Sequence, residues 1–161
     1  KTAHQLGIPT SATMMYGHVE NNKNIARHMS ILKTIQKETN GFTEFVPLSF
    51  VPWRTRLYHD GIVDFAATSF ENLKVHSVAR IFLGHWIKNI QTSWVKLGPR
   101  LSQICLEVGA NDLGGTLMEE NISKSAGSLF GASKSEKELR SIIIEIGRSP
   151  VCRDTLYRHK K

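Results

Sequence analysis

Three short apolar stretches of this chain carry carboxylates or amides where a strand would open onto chemistry. The fullest runs from Gly109 to Asn121. It opens as a turn, because Gly109 and the Asn111-Asp112 pair tolerate left-handed or Asx-turn backbone, then runs apolar through Leu113, Leu117 and Met118 into Glu119 and Glu120. Ile8 to Tyr16 leads in the same way into Gly17-His18-Val19-Glu20, and Phe42 to Leu48 holds Glu44 between Thr43 and Phe45. Acids at the ends of strands in a parallel barrel stand on the face where reactions occur. The same residues on a solvated face are ordinary surface charge.

Glu44, Gln91, Ser93 and Lys96 stand in segments that otherwise read as apolar strands, and polar side chains inside a barrel need partners or a ligand. Lys96 faces either a substrate carboxylate or a glutamate. Trp94 is either a stacking wall or a core aromatic, and Asn111 and Asp112 either hydrogen-bond a substrate or make an Asx turn. Neighbours on an extended strand point to opposite sides, so Glu119 rather than Glu120 is expected to face the interior. His4, His28, His76, His85 and His159 have no metal-ligand spacing, which leaves His18, at a strand end, as the histidine to test. Cys105 and Cys152 form no CxxC and read as free thiols, and no residue is assigned a catalytic or metal-binding role.

The elements that must position these residues alternate along the chain. Lys1 to Leu6 reads as the last turn of a helix closed by Gly7, so the chain is expected to start inside an element. Asn21 or Asn22 caps a helix carrying Ile25, Met29, Leu32 and Ile35, which Asn40-Gly41 stops. Ser49 to Thr68 is long for a connection. Thr68 to Glu71 has capping-box spacing and opens a helix whose expected buried face is Leu73, Val78, Ile81, Phe82 and Trp86. Asn89 to Val95 reads as a strand, and Gly98-Pro99 opens a helix to Gly109. A final capping box, Ser133 to Glu136, begins a helix through Leu139, Ile142, Ile143 and Ile146. Strand starts near 8, 42, 89 and 112, each followed by a helix, predict an α/β fold with four parallel strands.

Thr13 to Glu20 resembles the GxIxGxxE pattern on the fifth barrel strand of radical S-adenosylmethionine enzymes, with Thr13 in place of the first glycine and Met15 in place of the isoleucine. Together with Glu44 to Leu48, Asn89 to Pro99 and Gly109 to Asn121, it is similar to the C-terminal half of the FO synthase subunit 2 family, which makes the deazaflavin precursor of coenzyme F-420. The resemblance runs from Ala3-His4 to Thr155-Leu156-Tyr157. Menaquinone-pathway futalosine enzymes share the Gly-Ala-Asn-Asp and Glu-Glu-Asn framework, whereas Trp94 to Gly98 and Leu113 to Thr116 resemble the deazaflavin branch. Two departures stand out: Phe65-Ala66-Ala67 replaces an expected glycine before Thr68, and Val51 to Arg56 follows no family pattern.

The resemblance implies the C-terminal half of a (β/α) TIM-type barrel over residues 1–150, with 151–161 a basic tail. It implies a transferase that joins the 4-hydroxybenzyl group of tyrosine to 5-amino-6-(D-ribitylamino)uracil, with S-adenosylmethionine and a 4Fe-4S cluster as cofactors. Thr13, Met15, Tyr16, Gly17 and Glu20 would lie along the adenosyl moiety. His18, Glu44, Gln91, Ser93, Trp94, Lys96, Asn111, Asp112 and Glu119 would surround the substrates. The CxxxCxxC cluster loop belongs to the N-terminal barrel half, so this chain alone is expected to be inactive. The implied protein partners are that half and FO synthase subunit 1. The reading from a different class is a cluster-free binding domain with the same fold.

At 161 residues and 40% hydrophobic, the chain is long enough for one domain with a core. It has no apolar run of spanning length and no secretory leader, so a soluble cytoplasmic protein is expected. The net charge of +7 gathers partly in Arg153, Arg158, Lys160 and Lys161, and no nucleic-acid-binding signature accompanies it.

Overall fold

The computed structural model describes residues 1–117, 120–130 and 133–159. After a short α1 (Thr2–Gln5), strands and helices alternate: β1 (Thr10–Tyr16), α2 (Asn22–Thr39), β2 (Phe42–Ser49), α3 (Arg56–His59), α4 (Ser69–Leu83), β3 (Asn89–Thr92), α5 (Trp94–Val108), β4 (Asp112–Leu113), α6 (Asn121–Ser125) and α7 (Glu136–Ile144). The strands lie in chain order β1-β2-β3-β4, every neighbouring pair parallel. With one sheet face covered by helices, this is the arrangement of half a TIM-type barrel.

Reciprocal caps fix three helix starts. Asn21 accepts the amides of Lys23 and Asn24 while Asn24 reaches back to Asn21; Thr68 with Glu71, and Ser135 with Glu138, do the same for α4 and α7. The last box lies two residues beyond the expected Ser133 to Glu136. Both frames match Ser-x-x-Glu, and the later one starts the helix that buries Leu139 and Ile142. Asn40, at φ 48°, closes α2 in the left-handed conformation, and the buried Gln36 then bonds across the turn to Phe42 and to the Trp86 carbonyl.

Alternation along β1 separates two faces. Ala12, Met14 and Tyr16 are buried against Met29 and Leu32 of α2 and Val75, Ala79 and Leu83 of α4, whereas Ser11, Thr13 and Met15 are exposed. The buried face of α4 differs from the expected one. It consists of Asn72, Val75, His76, Ala79 and Leu83, while Val78, Phe82 and the 84% exposed Ile81 point outward. Two polar residues sit on the buried stripe, so a search for apolar periodicity alone settles on the wrong side of the helix.

A further expectation changes. β3 ends at Thr92, so Ser93, Trp94 and Lys96 belong to a turn and the first turn of α5 rather than to a strand. Gly98, at φ 76° and ψ 167°, breaks α5 into two helices, and the second starts at Pro99 as expected. β4 is only two residues long. The connection from 50 to 68 is organised by α3, capped by Thr55, and by the buried Val51, Pro52 and Val63.

Candidate functional site

At the C-terminal end of β1 the chain turns sharply at Gly17 (φ 85°), where an added Cβ would stand 2.8 Å from the Ala67 Cβ. The Glu20 carboxylate closes this turn, accepting from the Gly17 amide at 2.6 Å and the His18 amide at 3.1 Å. Burial works against its charge, but the two amides outweigh that and hold its pKa below the ordinary carboxylate value. The neutral His18 ring accepts from the Val19 amide through Nδ1 at 2.7 Å; protonated, the same nitrogen would face Glu20 Oε2 at 3.2 Å. Behind the turn, the buried Tyr16 hydroxyl donates to Asn72 Oδ1 at 2.5 Å, and Asn72 Nδ2 donates to the carbonyls of Ala67 and Thr68. The turn, the end of the long connection and the start of α4 are thereby tied together.

At the corresponding ends of β3 and β4, Trp94 is buried with Val95, Leu139 and Ile142, and its Nε1 donates to the carbonyls of Gly114 and Gly115. The Lys96 ammonium is half-buried and makes no hydrogen bond or ion pair with any described residue. Burial lowers its pKa, and Glu120 partly offsets this. Glu120 itself caps α6 through the Ser123 amide at 2.8 Å. The loops meet overhead, where the Arg54 amide donates to the Ala126 carbonyl at 3.1 Å.

A second polar set runs across the sheet from the start of β1 to β4. Ser11 donates to Glu44 Oε1 at 2.6 Å, and Gln91 Nε2 bridges Glu44 Oε2 at 3.0 Å and Asp112 Oδ2 at 2.9 Å. Arg153 grips Asp112 through two parallel bonds of 2.8 and 2.6 Å, and the Tyr157 hydroxyl reaches both Glu44 and Asp112. The hydrogen bonds that Arg153 donates to Asp112 push the Arg153 pKa upward; burial, reinforced by the hydrogen bond to Glu44, does the same for Tyr157. Asn111, just before β4, accepts from the Ile90 amide at 2.8 Å and from Arg80 Nη2 at 2.5 Å.

Residues 39–161 match the family described as the CofH/MqnC C-terminal region. The chain belongs to that family. It is 56% identical over 157 residues to the 5-amino-6-(D-ribitylamino)uracil--L-tyrosine 4-hydroxyphenyl transferase of Methanococcus vannielii, covering 98% of this chain and 44% of that protein. It is 54% identical over 158 residues to the transferase of the same name from Methanocaldococcus jannaschii, with 98% and 44% covered. For that of Methanothermobacter thermautotrophicus the figures are 49% over 158 residues, 98% and 43%. The chain thus spans less than half the length of these curated relatives.

In this CofH/MqnC C-terminal region, the residues singled out by sequence divide into two groups. Thr13, Met15, Gly17, His18 and Glu20 gather along β1 and its turn, with Thr13 and Met15 on the exposed face; the Tyr16 side chain turns the other way, into the helix layer. Ser93, Trp94 and Lys96 stand at the same end of the sheet. Glu44, Asn111 and Asp112 lie toward the strand starts, and Gln91, the third residue of β3, stands between the two groups, with its Oε1 and Trp94 Cδ1 both within 4 Å of where a Cβ on Gly114 would stand. From Glu44 to Ser49 along β2 the separation is about 16 Å at the rise of an extended strand. Glu119 lies outside the described residues. The sequence reading missed Asn72, Arg153 and Tyr157: Asn72 looked like an ordinary polar residue of a helix, and Arg153 and Tyr157 sit in a charged stretch that resembles any solvated tail. Among the described residues no helix is long and apolar enough to cross a membrane.

Proposed function

We propose that this chain is the C-terminal half of a radical S-adenosylmethionine transferase that joins the 4-hydroxybenzyl group of tyrosine to 5-amino-6-(D-ribitylamino)uracil. The observation that carries the reading is the uncovered face of β1, with a carboxylate-closed turn at its C-terminal end, in a chain that matches transferases over 98% of its own length. The names of these relatives support the transferase over a futalosine-type reaction.

The donor set of this chain does not fit an iron-sulfur cluster. Cys105 is buried in the helix layer, its thiol pushed up to about 11 by burial; Cys152 lies in the C-terminal segment, and no group of three metal-ligating side chains occurs among the described residues. We assign the cluster ligands to the N-terminal half. The β1 end does fit a nucleoside: Thr13 and Met15 offer exposed side chains, and Glu20 preforms the turn beside them. When bound, S-adenosylmethionine and the cluster supply the radical chemistry, while the protein places the substrates and excludes water. Lys96 is the cation suited to the tyrosine carboxylate, because its ammonium is partly desolvated and makes no hydrogen bond or ion pair with a described residue. Ser93 and His18 offer polar atoms at the same end. FO synthase subunit 1 is the proposed consumer of the coupled product.

The test is anaerobic co-expression with a barrel half carrying CxxxCxxC, followed by mass-spectrometric search for the coupled product. The expected result is product only when both pieces, tyrosine and the ribitylaminouracil are present. Cleavage of S-adenosylmethionine with no coupled product would overturn the reading.

A further inference from the structure

The segment after Pro150 has no part in the proposed reaction, yet its side chains reach Glu44 and Asp112, two carboxylates through which one residue on every strand is joined. Ser11 of β1, Glu44 of β2, Gln91 of β3 and Asp112 of β4 are joined into one network, and Arg153 and Tyr157 complete it. The segment is itself preformed. Asp154 accepts the amides of Leu156 and Arg158, Arg153 bridges to His159, and the Arg153 guanidinium stacks 4.0 Å over the Tyr157 ring. Tyr157 adopts a left-handed φ of 60°, a conformation unfavourable for a non-glycine residue that persists where surrounding contacts dictate it.

We propose that residues 151–159 form the floor of the barrel to which this sheet belongs, and that Arg153 and Tyr157 are positioning residues closing its N-terminal mouth. Glu44, Gln91 and Asp112 are then the anchor of that floor rather than contacts to substrate. The inference rests on the half-barrel reading above. Three observations carry it. Both amide protons of Gln91 are already committed to the two carboxylates. The Glu44 and Asp112 side chains are only 12% exposed, and Arg153 is the cation that compensates them. Ser11, Glu44 and Asp112 also stand at or near the starts of β1, β2 and β4, the end of a barrel where side chains serve stability rather than reaction, and Gln91 joins them from β3.

Hydrogen exchange read by mass spectrometry tests this on the chain itself, comparing the parent with Arg153→Ala, Arg153→Lys and Tyr157→Phe. The expected result for Arg153→Ala is exchange about tenfold or more faster in peptides covering 42–49 and 89–92, with 22–39 little changed. Arg153→Lys should restore part of the protection. Tyr157→Phe removes a single oxygen and keeps the test decisive if Arg153→Ala does not fold; it should speed the same peptides by a smaller factor. Unchanged exchange in both, or a uniform rise over the whole chain, overturns the floor. Absence of coupled product with this pattern intact counts against the transferase reading instead.

Discussion

The two ends of the sheet treat polar side chains in opposite ways. Toward the strand starts, Glu44 and Asp112 are bridged by Gln91 of β3 and held by Arg153 and Tyr157. At the strand ends, Lys96 keeps a half-buried ammonium that makes no hydrogen bond or ion pair with a described residue, while the Glu20 and Glu120 carboxylates are satisfied by backbone amides that shape a turn and a helix start. A buried polar group whose partners are supplied by the fold contributes to stability. One left without partners costs stability and is retained where something else binds it. The contrast separates scaffold from binding face more clearly than residue type does.

The comparison can be broken most directly at the floor. Arg153→Ala should destabilise the chain by about 2–3 kcal/mol in urea unfolding, less than the full penalty for a broken buried pair because part of Arg153 stays in water. A double-mutant cycle with Asp112→Ala should return most of that as coupling; additive losses would mean that the pair does not act as a unit. Tyr16→Phe, at the other end, should cost about 1–2 kcal/mol by orphaning Asn72, and thermal unfolding reads it.

Glu20→Gln should cost about 1 kcal/mol near neutral pH, since the turn is partly screened by solvent. Because the folded-state pKa of Glu20 is depressed, its contribution is full above the ordinary value of 4.5 and is lost as pH falls through the folded pKa. The gap between parent and variant should therefore close in acid; a gap that persists at pH 2 would contradict the assigned role of the carboxylate. Lys96→Met sharpens the contrast from the other side. Its stability should stay within about 0.5 kcal/mol of the parent, as no partner is removed. In the assembled enzyme, the same change should raise the KM for tyrosine about tenfold and leave kcat nearly unchanged.

How legible each feature was follows from its range in sequence. The caps at Asn21 and Thr68, the left-handed stop at Asn40 and the glycine turn at Gly17 involve neighbours a few residues apart, so residue types alone announce them. The order of four strand and helix units was readable for the same reason. The buried side of α4 was not, because Asn72 and His76 are polar by type and become core residues only once Tyr16 and the Asn72 carbonyl accept or supply their hydrogen bonds. Ser93, Trp94 and Lys96 read as strand because their run is apolar; in the fold β3 stops at Thr92, and the buried Trp94 opens a short helical turn that Gly98 ends.

By itself, then, the sequence determined the elements, their order and the turn that presents Glu20, all consequences of local backbone preference and short-range hydrogen bonding. Tertiary structure alone decided which carboxylates remain available. Tyr157 meets Glu44 across 113 positions, and a contact of that span depends on how the whole sheet curves and where the chain end returns, which no local pattern encodes.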